Sequence, residues 1–252
     1  MNDEVKFSFS GKRFAVIGAT SGMGLQTTRE LVNSGAKVLA IGLGDDLMES
    51  LVRESDGNVE GYVVDVRDKN ALENAITQYV NDHGKLHGSA YTAGISKTTV
   101  LRSFSEEEAR LTMDINYWGW IHWMELASKK KYSEDNSSHV VIASAAAHKG
   151  ESGAFAYSAS KSSLIVCVQT FAKEIAKRGC RVNSVSPGFI NTPLTEGYFS
   201  NRGFSEKTIE KHLLGLGKPE NVTGTILFLL SDRASWITGT DIVIDGGYLV
   251  SD

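Results

Sequence analysis

Short apolar runs alternate along the chain with stretches whose apolar residues recur every three or four positions, a pattern that predicts strands joined by amphipathic helices. Phe14-Ala15-Val16-Ile17 reads as a strand closed by Gly18, and Leu25, Thr28, Leu31 and Val32 then form a helical stripe that Gly35 ends as a C′ glycine would. Val38 to Ile41 is the second strand. Asp46 is placed to cap a helix carrying Leu47, Met48, Leu51 and Val52, and Tyr62-Val63-Val64 forms a third strand ending at Asp65. Ala71, Leu72, Ala75, Ile76, Tyr79 and Val80 repeat at helical spacing until Gly84 stops them. A weaker strand lies near Ser89 to Thr92, and Ser105 with Glu108 makes a capping box for a long helix running through Asn116 towards Lys129. Ser133 to Ser138 reads as a polar loop, His139 to Ala143 as a strand, Tyr157 to Arg178 as a helix and Arg181 to Val185 as a strand. Pro219 to Leu230 is helical, and Asp241 to Ile244 is a last strand before Gly246-Gly247.

Continuous apolar strands between helices argue a mainly parallel sheet covered on both faces. The expectation is an α/β fold: a Rossmann-type, doubly wound, seven-stranded sheet in a single domain over residues 1–252. Such sheets bind ligands beyond the carboxyl ends of their strands, so the first residues after each strand carry the most information.

Composition narrows the function. Hydrophobic residues make up 41% and charged residues 22%, ordinary for a soluble protein with a sizeable core. The net charge of −4 argues against nucleic acid as a partner, and the run Lys129-Lys130-Lys131 reads as a solvated cationic helix end. Two cysteines, Cys167 and Cys180, suit a reducing compartment better than secretion. A polar Met1 to Gly11 carries no signal-peptide pattern, and no run of about 18 apolar residues offers a membrane span. A soluble, cytoplasmic protein with a small-molecule substrate and no metal is expected.

The loop Gly18-Ala19-Thr20-Ser21-Gly22-Met23-Gly24 joins the first strand to the first helix. Its glycines would let the backbone approach a pyrophosphate at a helix N-terminus; a purely structural turn is the alternative. Asp65, followed by Val66, could accept from an adenine amino group or cap the next loop, and the small Ala93-Gly94 would leave room for a ribose. Tyr157 and Lys161 stand four residues apart, hence on one helix face. A free tyrosine titrates near 10, too high for a base at neutral pH; an ammonium about 6 Å away would favour the phenolate by nearly 3 kcal/mol, at an effective dielectric of about 20. Ser144, at a strand end, either donates to a substrate oxygen that gains charge or simply starts a turn. Asn116, a poor helix former inside a helix, is either tolerated there or organises water at a kink.

Taken together, these residues resemble the short-chain dehydrogenase/reductase family, from about Lys12 to Gly247. Gly18-x-x-x-Gly22-x-Gly24, Asn116, Ser144 and Tyr157-x-x-x-Lys161 occur in the family's order. Asp65-Val66, Ala93-Gly94, Arg181-Val182-Asn183, Pro187-Gly188, Thr238-Gly239 and Asp245-Gly246-Gly247 match as well. The resemblance implies that Tyr157 is the acid/base, that Ser144 orients the substrate carbonyl, and that Lys161 binds the nicotinamide ribose and lowers the phenol. It further implies that Asn116 holds a water linking Lys161 to solvent. Gly18, Thr20, Ser21, Gly22, Met23 and Gly24 would hold the cofactor with Gly42, Leu43, Asp65, Val66, Ala93 and Gly94, while Pro187, Gly188, Ile190 and Thr192 would border the nicotinamide. Three positions depart: Ile17 stands where the family usually has Thr, and Tyr91-Thr92 replaces Asn-Asn, so Thr92 must supply an amide's hydrogen bonds. A variable substrate lid would fall at about 190–216, with Tyr198, Phe199, Phe204 and His212 available to line it.

The implied activity is hydride transfer between NAD(P)(H) and a secondary alcohol or ketone. A 3-oxoacyl-acyl-carrier-protein reductase fits the same residues, with Lys177 and Arg178 available for an acidic carrier; so does a sugar, polyol or cyclic-alcohol dehydrogenase. A non-catalytic dinucleotide sensor is disfavoured because all four catalytic residues are present. Gly42 and Leu43 stand where ribose selectivity is set and neither is charged; the nearby Asp45 and Asp46 would repel a 2′-phosphate, which favours NAD(H). Apolar residues Trp120, Trp123, Val166 and Phe171 on two long helices, with the resemblance, suggest a homotetramer ahead of a dimer.

Overall fold

The strand β1 (Arg13–Ile17) explains the layering. Its last four residues have no exposed surface, and they divide by parity. Phe14 and Val16 pack with Leu31, Val38 and Ala40, whereas Ala15 and Ile17 pack with Leu39, Ile41, Leu72 and Ile76. Successive side chains of a strand point to opposite faces, so a strand buried on both needs cover on both.

The computed structural model, which describes residues 6–199, 206 and 209–251 apart from the side chains of 197–199, supplies that cover. After β1 come β2 (Lys37–Gly42), β3 (Val59–Val63), β4 (Leu86–Tyr91), β5 (Ser133–Ile142), β6 (Arg181–Pro187) and β7 (Asp241–Ile244). They form a seven-stranded sheet in the order β3-β2-β1-β4-β5-β6-β7, every neighbouring pair parallel. One apolar layer is built with α1 (Gly22–Asn33), α2 (Asp45–Glu54) and α8 (Pro219–Leu230); the other with α3 (Lys69–His83), α5 (Gly119–Ala127) and α6 (Phe155–Ile175). Two shorter helices, α4 (Glu106–Met113) and α7 (Pro193–Phe199), border the carboxyl edge. The winding reverses between β1 and β4, where such a sheet opens its crevice.

Several boundaries differ from the sequence expectation, each for a physical reason. The polar segment 133–138 is strand, the first half of β5, because Ser133 pairs with Leu86 and Ser138 with Gly88 and Arg181 in the sheet, and the Ser137 and Ser138 hydroxyls find partners inside the fold. Ser138 Oγ donates to the Leu229 carbonyl at 2.7 Å, and the pairing with β4 slips between Leu86 and Gly88. Arg178 closes this segment through Asp135 (2.8 Å) and the carbonyls of Ser128 and Ser133 (both 2.7 Å), so its guanidinium is engaged at home rather than offered to an acidic carrier. Asp46 does not cap α2; Gly44 takes that position with φ +88, and Asp45 and Asp46 fill the first turn, where carboxylates favour the helix dipole. β3 begins at Val59 and ends at Val63, two residues before Asp65.

The long helix through Asn116 is broken. A π turn over Asp114–Trp118 separates α4 from α5, with the Gly119 amide reaching back to the Asp114 carbonyl. Trp120 and Trp123 are core residues, 1% and 0% exposed, so they are not the assembly surface expected of them; Val166, at 62%, is exposed. Trp123 Nε1 donates to Ser89 Oγ at 2.9 Å, and the Trp120 ring packs on Phe171. No helix among the described residues is long and apolar enough to cross a membrane.

Candidate active site

The turn after β1 is set by close backbone approach. Gly18 has φ +90, and its amide donates to the Ile41 carbonyl at 2.7 Å. A Cβ on Gly24 would lie 2.0 Å from the Gly18 carbonyl oxygen and 2.4 Å from Thr92 Oγ1, so the first turn of α1 fits only without a side chain there. Thr92 Oγ1 donates to the carbonyls of Ile17 (2.8 Å) and Gly18 (3.2 Å), which supplies the tie between β4 and this loop that the departure from Asn-Asn required. Above the loop lies a cavity of about 380 Å³, lined by Gly18, Thr20, Ser21, Gly22, Met23, Gly24, Gly42, Leu43, Asp65, Val66, Ala93, Gly94 and Thr192.

A second, narrow cavity of about 70 Å³ shares Met23, Gly94 and Thr192 with the first and adds Ser144, Tyr157, Lys161, Pro187, Gly188 and Ile190. Every residue expected to catalyse or to hold the cofactor, except Asn116, therefore lines one continuous cleft, and Asn116 stands directly behind it.

The four catalytic candidates are held by three elements. Tyr157 and Lys161 lie on the first turns of α6, with Lys161 Nζ 5.8 Å from the Tyr157 ring centroid. Lys161 is buried and donates to the Ile142 carbonyl at the end of β5 (2.7 Å); burial pushes its ammonium down to about 7. Ser144 begins a short 3-10 turn over Ala145–Ala147, its Oγ accepting from the Ala146 amide at 3.1 Å, which leaves its own proton to donate. Ser144 thus starts a turn, and that role leaves its hydroxyl proton available to a ligand. Asn116 sits in the π turn, fully buried. Its Oδ1 accepts from Ile95 N (2.8 Å), and its Nδ2 donates to Ile95 O and Ser160 Oγ (both 3.0 Å). Those bonds pin the loop after β4 to α6, one residue from Lys161, and Tyr91, through its hydroxyl, donates to the Ile115 carbonyl inside the same turn (2.7 Å).

Asp65 lines the first cavity beside Arg67, whose Nε donates to both carboxylate oxygens at 3.0 Å and whose Nη2 donates to one at 2.5 Å. That guanidinium holds the Asp65 carboxyl below the usual carboxylate range. Arg67 was missed in the sequence because the count of charges stopped at the end of β2.

The sheet and its covering helices agree with the comparisons. A family model described as Enoyl-(Acyl carrier protein) reductase matches residues 18–249. A 3-oxoacyl-[acyl-carrier-protein] reductase FabG of Thermotoga maritima is 34% identical over 244 residues, covering 95% of this chain and 98% of its own length. The chain belongs to the short-chain dehydrogenase/reductase family. Carbonyl reductase family member 4 of Xenopus tropicalis is 32% identical across 92% of the chain and 96% of that protein. A short-chain type dehydrogenase/reductase from Mycobacterium ulcerans superposes with a TM-score of 0.91 at 29% identity, covering 97% and 92% of the two chains. A Brucella melitensis structure described as a glucose/ribitol dehydrogenase gives 0.91 at 26%, covering 97% of this chain and 99% of that one. Members of this family are oxidoreductases that use NAD(P)(H), and the glycine cradle with its open helix N-terminus fits such a dinucleotide.

A third cavity of about 440 Å³ opens from Ser144 and Tyr157 away from the dinucleotide cleft, bordered by Thr98, Glu151, Phe189, Leu194 and Tyr248. Of the expected lid residues, His212 is buried against Phe189 and Tyr248. The Tyr198 and Phe199 side chains and the whole of Phe204 lie outside the described residues. Glu151 and Tyr248 carry no pattern that a reading of the chain could single out, because chain folding alone brings residues 97 apart together.

Proposed function

We propose that the protein moves a hydride between NAD(P)(H) and the carbon of a secondary alcohol or ketone, with Tyr157 as acid/base. The observation that carries this reading is the meeting of Ser144, Tyr157 and Lys161 at the seam between a dinucleotide-sized cleft and a separate cavity. The cofactor, when bound, supplies or takes the hydride. In reduction Tyr157 gives its phenolic proton to the nascent alkoxide while Ser144 donates a hydrogen bond to the same oxygen. The buried Lys161 ammonium favours the phenolate that remains. Asn116 positions this pair by tying Ile95 to Ser160.

Tyr157→Phe should lower kcat by at least about a hundredfold, the worth of general acid-base catalysis, with cofactor affinity within a few-fold of wild type by calorimetry. A variant keeping a tenth of wild-type kcat overturns the assignment.

The cofactor is proposed as NAD(P)(H) without preference. The lean towards NAD(H) rested on a missing cation at Gly42 and Leu43, the comparisons lend it no support, and Arg67 places a cation at the edge of the same cavity. A second reading is favoured by the names of the relatives: reduction of a 3-oxoacyl thioester. Turnover of acetoacetyl thioester measured against simple ketones distinguishes it.

A further inference from the structure

The third cavity places a carboxylate where the reaction itself does not want one. Hydride transfer to a ketone builds negative charge on an oxygen next to Ser144 and Tyr157, and Glu151 lines the same cavity. A like charge there opposes the reaction unless something positive stands between them.

Glu151 is not adventitious in its place. It lies on the loop from the 3-10 turn to α6, which is held by Thr99 N donating to Gly153 O (2.6 Å) and by Ala154 N donating to Glu151 O (3.1 Å). Its Oε1 accepts from the Tyr248 hydroxyl. Tyr248, 5% exposed, is delivered by the turn at Gly246-Gly247, where Asp245 accepts from Gly247 N (2.9 Å) and Leu249 N (2.8 Å). The His212 ring stacks on it at 4.8 Å. Burial and the Glu151 charge push the Tyr248 phenol up, so it stays a neutral donor to the carboxylate. Lys149 Nζ lies 5.5 Å from the centroid of the Tyr248 ring, over the ring rather than among the residues lining the cavity.

We propose that Glu151, anchored by Tyr248, selects a neutral polyhydroxylated substrate whose hydroxyl group donates to it, and rejects substrates that carry a carboxylate. This rests on the oxidoreductase reading above and names the substrate class for that site. Hydroxyl donors of the substrate supply the positive partial charge that separates Glu151 from the developing alkoxide.

The test is binding of xylitol and of xylonate to the cofactor-saturated protein by calorimetry, with oxidation rates alongside. Wild type should bind xylitol at least about thirtyfold more tightly than xylonate, the scale of a like-charge contact at short range. Glu151→Gln keeps the shape and an acceptor for Tyr248 but removes the charge; it should cut that preference about tenfold, the loss falling on KM for xylitol more than on kcat. Three results overturn the proposal: xylonate binding as tightly as xylitol in wild type, an unchanged preference in Glu151→Gln, or binding of neither while acetoacetyl thioester is reduced. The last leaves the oxidoreductase reading standing. Full turnover in Tyr157→Phe removes that reading while leaving the xylitol preference measurable.

Discussion

Lys161→Met should make the cofactor-free protein more stable while removing its activity. Burial alone moves the Lys161 ammonium from 10.5 to about 7. Each pH unit is worth about 1.4 kcal/mol, so holding this side chain in the fold costs about 5 kcal/mol at any pH below 7. The substitution also removes the bond from Nζ to the Ile142 carbonyl and leaves that oxygen buried, which returns about 2 kcal/mol. About 3 kcal/mol of net stabilisation remains at pH 6. For a chain of this length that raises Tm by about 6–12 °C. The sign of the pH dependence follows from the direction of the shift. The folded value lies below the unfolded one, so between about 7 and 10.5 the unfolded chain holds the extra proton, and wild-type stability rises with pH through that window. The advantage of the Met variant should therefore fall to near zero by pH 9.5. Thermal melts of both proteins from pH 6 to 9.5, followed by circular dichroism, measure it. A Tm difference that is the same at both ends, or a variant less stable than wild type at pH 6, refutes the reasoning.

Gly24→Ala should abolish measurable cofactor binding and cost at least about 2 kcal/mol of stability, because the added methyl meets the Gly18 carbonyl at 2.0 Å; titration calorimetry and thermal melts report both. Arg67→Ala should shift the ratio of NADPH to NADH dissociation constants at least about fivefold towards NADH, and an unchanged ratio would confine Arg67 to its bond with Asp65. Trp118 on the π turn and Phe155 and Val166 on α6 are 48%, 40% and 62% exposed, and we propose that they face a partner copy. Light scattering at micromolar concentration should give a homotetramer, and Trp118→Glu should lower that mass; a wild-type monomer contradicts the assembly.

The sheet was legible because its strands are buried on both faces. A run such as Phe14 to Ile17 leaves no polar position that a one-sided strand would show, and strands read this way fell within a few residues of their true ends. The segment 133–138 was not legible for the opposite reason. Its serines are buried, two of them with partners for their hydroxyls, Ser138 in the Leu229 carbonyl and Ser137 in His139, and those partners come from distant parts of the chain or from the strand itself. Trp120 and Trp123 misled in the same way. Helical spacing identifies an apolar face but does not say whether that face meets its own sheet or another copy, and here the sheet claims both rings.

The cleft was legible because its residues lie just after strand ends or, for Tyr157 and Lys161, one helical turn apart, where spacing along the chain is also spacing in space. Asn116 shows how far that reaches. Its residue type, poor for a helix, marked a kink, and the kink is a π turn. What gives the turn its use is tertiary. The Tyr91 hydroxyl takes the Ile115 carbonyl, and the Asn116 amide joins Ile95 to Ser160, so the extra residue in the helix is held by β4 on one side and by the helix of Lys161 on the other. Tyr91 stands where the family usually has an Asn. Its ring fills the space beside Gly119, where an added Cβ would lie 2.4 Å from the hydroxyl oxygen. The departure at Tyr91 and the small residue at Gly119 are thus one accommodation, visible only once the two are side by side. The same holds at Glu151 and Tyr248, whose meeting depends on a glycine turn and a stacked histidine that no local pattern connects. Catalytic chemistry near the strand ends is local enough to read from the chain; the choice of substrate is made by contacts between segments that only the fold brings together.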